Sequence, residues 1–473
     1  MYYSHNLQVS LPVSAFCFSA TLRVATIIEC VLDATVETVQ FPQLRQLELE
    51  FVNVSGDSLD KMIVGCPVLE FLLLKTIYGF STIRISSRSL ICISFDISAY
   101  EHDSKKLIIE DAPLLERLLQ LETCRFLHVS LISAPKVETL ATTVIQKLCA
   151  VSFMAEICSV QELEFEAVPW RRKQHLPASA FRFSATLRVI TISDAILLDS
   201  AVESLRFPQL RQLGLQHVDA SVAAVHSIIT GCPKLECLLI KLIGAKANNG
   251  DRSIRINSPS LIRIGFACYL YLELIIEDAP SLERLFCLDD MRYSHVWGFT
   301  NSDVFYLFLK ILRASFTVTV CSVKFIAINT DKFNLEAVIN LTRCFPCLEE
   351  LSIQISQSEG KNLWRHKHHD LMSCLDIRLK VLVLKNYQGI KSQAHFATFF
   401  IVNAKMLKTM RFEGGPYRDY NKFVAKQHQR LQLGKRASKS AQFHFVECAC
   451  HKYLAQIEHV TDLSKADPYH CIR

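Results

Sequence analysis

The sequence predicts an α/β solenoid: a curved parallel sheet of short strands, joined by helical or irregular returns and ending in an α/β cap. Three observations carry that expectation. A block of about 165 residues occurs twice in tandem, each block holds a finer L-x-x-L-x-L period, and that period continues in phase beyond the second block. A fold that tolerates such lengthening is one in which each unit touches only its neighbours.

The duplication is read directly. Leu11 to Ile27 (LPVSAFCFSATLRVATI) returns as Leu176 to Ile192 (LPASAFRFSATLRVITI). FPQLRQL recurs at 41–47 and 207–213, Gly-Cys-Pro-x-Leu-Glu at 65–70 and 231–236, and Ile-Ile-Glu-Asp-Ala-Pro at 108–113 and 275–280.

Within the first block the period runs through Leu44, Leu47 and Leu49, then Leu69, Leu72 and Leu74, then Leu90, Ile93 and Phe95, then Leu115 and Leu118, then Val137 and Leu140. Pro-to-Pro spacings such as 42 to 67, 113 to 135, 208 to 233 and 259 to 280 fall in the range of leucine-rich repeats. The second block repeats the series, and it goes on at Val323, Ile326 and Ile328, at Leu348, Leu351 and Ile353, at Leu379, Leu382 and Leu384, and at Leu407, Met410 and Phe412. In L-x-L both leucines leave a strand on one side, and the Leu three residues earlier fills the preceding turn. One such strand cannot bury its apolar face alone, whereas stacked neighbours can.

Two returns carry helix signals. Ser55 to Gly65 offers a Ser start, Leu59, Met62 and Ile63 on one side, and a terminating Gly; Ala220 to Gly231 repeats this with Val225, Ile228 and Ile229.

With 473 residues, half of them hydrophobic, the chain can bury a large core. Its longest apolar run, near Val304 to Leu312, is broken by Lys310 and too short to span a bilayer, so no membrane partner is expected. The N-terminus shows no basic stretch followed by an apolar one, so the chain is expected in the cytoplasm or nucleus, with its 18 cysteines in a reducing compartment as buried thiols. Residues 405–473 hold 13 Lys/Arg against 6 Asp/Glu. Lys422, Lys426, Arg430, Lys435, Arg436 and Lys439 read as the solvated face of a helix-like stretch; no nucleic-acid motif accompanies them, and nucleic acid is not the expected partner.

Motifs for catalysis are sparse. No glycine-rich phosphate loop is found. Glu110-Asp111 and Glu277-Asp278 are adjacent carboxylates that point apart on a strand or turn, and they recur because the block was copied. His366-Lys-His368-His369 and Cys448-Ala-Cys450-His451 lack the paired ligand spacing of zinc sites. Trp170-Arg171-Arg172-Lys173 reads as a surface loop between the copies. No catalytic, cofactor or metal residue is assigned, and no cofactor is expected.

The ordered set FPQLRQL, GCPxLExL, IRIxSxSL, LIIEDAPxLERL, then CFPCLEEL (344–351), CLDIRLKVLVLKNY (374–387), Lys391-Ser392-Gln393, Phe412-Glu413-Gly414 and RASKSAQF (436–443) resembles plant F-box proteins with leucine-rich repeats and a C-terminal FBD domain, particularly those of grasses. The resemblance covers almost the whole chain and is most specific at about 370–445. It implies a first repeat block over 1–150, a second over 151–300, further repeats over 301–369, an FBD-like domain over 370–445 and a tail over 446–473.

The resemblance further implies the substrate-recognition arm of an SCF-type E3 ubiquitin ligase: a protein-binding scaffold without catalytic residues of its own, whose partner is a protein substrate. In that family an F-box binds a Skp-type adaptor. The LPDDVLxxILSxLP signature is not found upstream of Leu11, so the adaptor is expected only if an F-box exists outside this sequence. The first copy also lacks the strand unit, Val160 to Phe165, that precedes the second, and residues 1 to about 30 are expected to be poorly anchored. A stand-alone binding protein, a competitor of intact relatives and a non-functional duplication product remain open.

Strand alternation places binding on the positions flanking the buried pairs: Gln46, Glu48 and Glu50 in the first copy, Gln212 and Gln216 in the second, and Glu350, Ser352 and Gln354 later. Because Glu48 and Glu50 become Gly214 and Gln216, one composite site is expected rather than two equal ones.

Overall fold

The computed structural model describes residues 9–32, 34–97, 105–120, 127–142, 152–153, 160–166, 174–176, 181, 183–246, 253–268, 273–288, 322–330, 335–355, 377–415, 419–447, 457 and 459–465. They form two compact units, Met1–Leu210 and Arg211–Arg473. The boundary between them falls inside the second copy of the repeat block.

In the first unit the L-x-L segments form one parallel ladder: Val24–Ile28, Gln46–Glu50, Phe71–Lys75, Cys92–Asp96, Arg117–Gln120, Thr139–Thr142, Glu162–Glu166 and Val189–Ser193. Its register is the repeat itself. Leu47 pairs with Leu72, Leu72 with Ile93, Ile93 with Leu118, Leu118 with Leu140, Leu140 with Leu163, and Leu163 with Ile190. These side chains stack into a buried row. A one-residue slip would turn every one of them outward, and that fixes the pairing.

The second unit has the same design. Its ladder runs Gln212–Ser221, Cys237–Lys246, Arg263–Cys268, Arg284–Cys287, Phe325–Thr330, Glu350–Ile355, Val381–Lys385, Thr409–Gly414 and Gln442–Glu447, all parallel. The last three strands, over residues 381–447, carry the array on through and just past the stretch that resembles an FBD domain. Helices Lys391–Asn403 and Tyr420–Arg430 form the returns there. Lys422, Lys426, Arg430, Lys435, Arg436 and Lys439 are all exposed, as expected of a solvated face.

The returns depart from expectation. Helices appear where the serine caps predict them, Gly56–Val64 behind Ser55 and Val222–Thr230 behind Ser221. Leu335–Cys344 is a further helical return, but in several coils the return is a second strand. Thr82–Ser86, Lys105–Asp111, Leu127–Leu131 and Ser152–Phe153 form their own parallel ladder, as do Ser253–Asn257 and Glu273–Asp278. The cause is period-two burial: Ile83 and Ile85 face inward with Leu107 and Ile109, which suits a strand and not a helix.

At six positions a left-handed residue bends the chain as it leaves the core of the main ladder. Glu29, Phe51, Thr76, Asp194, His217 and Asn386 all have φ between 53° and 58°, each directly after the five-residue strand core. This conformation costs a non-glycine residue about 1–2 kcal/mol. In three of these corners the turning N–H donates to the end of the next strand: Glu29 to the Glu50 carbonyl at 3.0 Å, Phe51 to Lys75 at 3.0 Å and Thr76 to Asp96 at 2.5 Å.

The copies match in detail. Phe16 meets Phe41 edge-on at 5.9 Å, and Phe181 meets Phe207 at 6.0 Å. Arg45 pairs with Glu70 at 2.5 Å, and Arg211 with Glu236 at 2.6 Å. Glu110 and Glu277 pair with Arg84 and Arg255 of the neighbouring strands, a structural role for both carboxylates.

Residues 9–32 are held better than expected. Val9–Ser10 pairs with Cys30–Leu32, Val24–Ile28 with Gln46–Glu50, and Phe16 is buried. Residues 1–8 lie outside the described residues.

Candidate protein-binding face

The outward positions of the two ladders differ in character. In the first unit Gln46 is exposed and Glu48 and Glu50 are half-buried, as strand alternation requires. Thr26 donates to Glu48 Oε2 at 3.4 Å, and Lys75 pairs with Glu50 at 2.5 Å. Beside them stand apolar side chains that the sequence reading did not select: Val24 is 56 % exposed, Ile28 52 % and Phe71 41 %. The signal is present in the residues, since Phe71 and Leu73 occupy the outward positions of FLLLK. The strip is open, apolar along one line and acidic along the next.

In the second unit the face is covered in part. Gln212 and Glu350 are half-buried, but Gln216, Ser352 and Gln354 are only 6 %, 5 % and 4 % exposed, so these three do not stand at a free surface. Alternation puts them on the correct side of the strand but does not fix what reaches water. Gln212 Oε1 and Gln354 Oε1 are buried without a hydrogen-bond partner among the described residues.

One covering element is the segment around 457–465, within what reads from sequence as a tail. Ile457, Val460 and Leu463 are fully buried. Lys241 Nζ donates to the Ile457 carbonyl at 2.5 Å, and Arg284 Nη1 to the Lys465 carbonyl at 2.7 Å. The Arg284 guanidinium also lies over Phe286 and Phe325, 5.2 and 4.4 Å from the ring centroids.

Described thiols follow the repeat. Cys66 Sγ donates to the Met62 carbonyl at 3.1 Å and Cys232 Sγ to Ile228 at 3.0 Å, and burial pushes both thiols up to about 12. No group of three or more His, Cys, Asp or Glu side chains suited to a metal occurs among the described residues. Residues 366–369, 448–451 and 170–173, named from the sequence, lie outside them. No helix among the described residues is long and apolar enough to cross a membrane.

A stacked parallel ladder with an open outward strip defines a leucine-rich-repeat protein of the interaction type. The chain belongs to the F-box-associated branch of that class: the family described as "FBD-associated F-box protein At5g56370, LRR repeats" matches residues 1–160 and again 153–304, and the FBD family matches residues 368–412. The two matches of the first family reproduce the tandem duplication. No curated protein matches the chain significantly. Among solved structures, a Bacteroides fragilis protein is similar at 13 % identity over 60 % of this chain and 71 % of its own, with a TM-score of 0.26, a likeness that carries no argument.

Proposed function

We propose that this chain is the substrate-recognition arm of an SCF-type ubiquitin ligase, a non-catalytic scaffold of the cytoplasm or nucleus that holds the protein to be modified. The supporting observation is the open strip of the first unit, where exposed Val24, Ile28 and Phe71 lie beside Gln46, Glu48 and Glu50. Apolar side chains grouped at a polar-rimmed surface mark protein contacts. Family membership supports an interaction role.

A pull-down of the Skp-type adaptor by the purified chain tests it, with an F-box-containing relative as positive control. Capture is the expected result if the chain itself carries the adaptor site. No capture beside a working control makes the chain a stand-alone binding protein or a competitor of its relatives.

A further inference from the structure

We propose that the outward face of strands Gln212–Ser221, Cys237–Lys246, Arg263–Cys268 and Arg284–Cys287 is a receptor for a short peptide turn with apolar residues three apart, and that segment 457–465 is its internal occupant, displaced when a partner protein presents such a turn. The proposal goes beyond the ligase reading, and its test uses neither adaptor nor ubiquitin.

The duplication supplies the comparison that carries this. Glu48, Glu50 and Ser94 of the first copy correspond to Gly214, Gln216 and Gly265 of the second. Two side chains are thereby removed from the face and one carboxylate is neutralised. The space at Gly265 is used: a Cβ there would lie 2.9 Å from Leu463 Cδ2 and 2.9 Å from Leu239 Cδ1. The lost charge also matters. Lys75 pairs with Glu50, whereas its counterpart Lys241 faces Gln216 across the ladder and donates to the Ile457 carbonyl.

The occupant has the form of a ligand. Ile457, Val460 and Leu463 present one apolar edge, and Val460–Ser464 forms a single 3-10 turn. His459 caps that turn, with its own N–H donating to Asp462 Oδ2 at 2.8 Å and its ring Nδ1 accepting from Thr461 N at 3.2 Å. Lys241 and Arg284 hold backbone carbonyls at the two ends, so they read the path of the chain rather than particular side chains. Specificity then rests on the three apolar residues. A tethered occupant competes at an effective concentration of order millimolar, enough to exclude weak ligands and yield to a partner that binds more tightly.

The test is binding of a fluorescent peptide of residues 457–465 to the full chain. Val460→Asp with Leu463→Asp, which releases the internal segment, should tighten binding roughly tenfold or more, and adding Gly265→Val should abolish it. Independently, the Ser464→Cys variant should form a disulfide with Cys237 under a mild thiol oxidant, since Cys237 Sγ lies 3.7 Å from Ser464 Oγ. Failure of the released chain to bind, binding that survives Gly265→Val, or absence of that disulfide in the Ser464→Cys variant overturns the proposal.

Discussion

The Tyr387 hydroxyl donates to Gln427 Oε1 at 3.0 Å, and both side chains are buried. This bond ties the strand Val381–Lys385 to the helix Tyr420–Arg430. Tyr387 also packs on Phe412 at 4.7 Å and Phe423 at 6.4 Å, and Gly389, at φ +66°, passes so close that a Cβ would stand 2.3 Å from Gln427 Nε2.

Gln427→Ala should therefore destabilise the protein by about 2 kcal/mol, because it removes the buried bonds to both the Tyr387 hydroxyl and the Gly389 carbonyl, whereas Tyr387→Phe should cost about 1 kcal/mol. Urea unfolding of the two variants gives the comparison; equal small effects would show that the hydroxyl has another partner. Gly389→Ala should be worse than either, since strain and clash add.

The helix caps offer a matched pair. Ser55 accepts from Ser58 N at 3.0 Å and Ser221 from Ala224 N at 2.9 Å. Ser→Ala at either position should cost about 1 kcal/mol. Ser55 also bonds the Ser58 hydroxyl, which links to Glu37, so the first substitution should cost slightly more. The reverse order in denaturation midpoints would remove that network from the account.

Glu29 is exposed yet left-handed, at φ 54°. Glu29→Gly should raise stability by about 1 kcal/mol, by relieving the corner without losing packing. A lower melting temperature would mean that the ladder bond from its N–H does not survive the substitution.

Thiol reactivity should divide by burial. Cys17 is exposed and should react with a maleimide in the native protein, while Cys66 and Cys232 should react only after unfolding. The same two thiols make stability pH-dependent. Their folded values lie near 12 against an ordinary 9.0, so the folded state holds protons that the unfolded chain releases, and stability should fall as pH rises from about 9 towards 12. Cys66→Ser with Cys232→Ser should flatten that decline.

Much of this architecture is legible in the residues because it depends on local rules. Leu47, Leu72 and Ile93 announce strand, phase and register together, and Ser55 announces a helix. The second ladder is less visible: TIRIS and KKLIIED alternate with period two, but only their pairing shows that two short runs complete a layer. Gln216, Ser352 and Gln354 illustrate the remaining limit. Alternation fixes the side of the strand but not its burial, and a covering segment such as 457–465, which packs on the strand of Gln216, is too short to show periodicity.

The in-phase ladder also gives each unit a mechanical character. Coils about 25 residues apart, as from Leu47 to Leu72, are joined to their neighbours by parallel backbone bonds and one apolar row. Tension applied along the stack loads those bonds across successive coils, so extension would proceed coil by coil, each released turn lengthening the chain by about 85 Å. Such a body yields stepwise, each step set by the residue count of the coil released, behaving under load as a segmented spring.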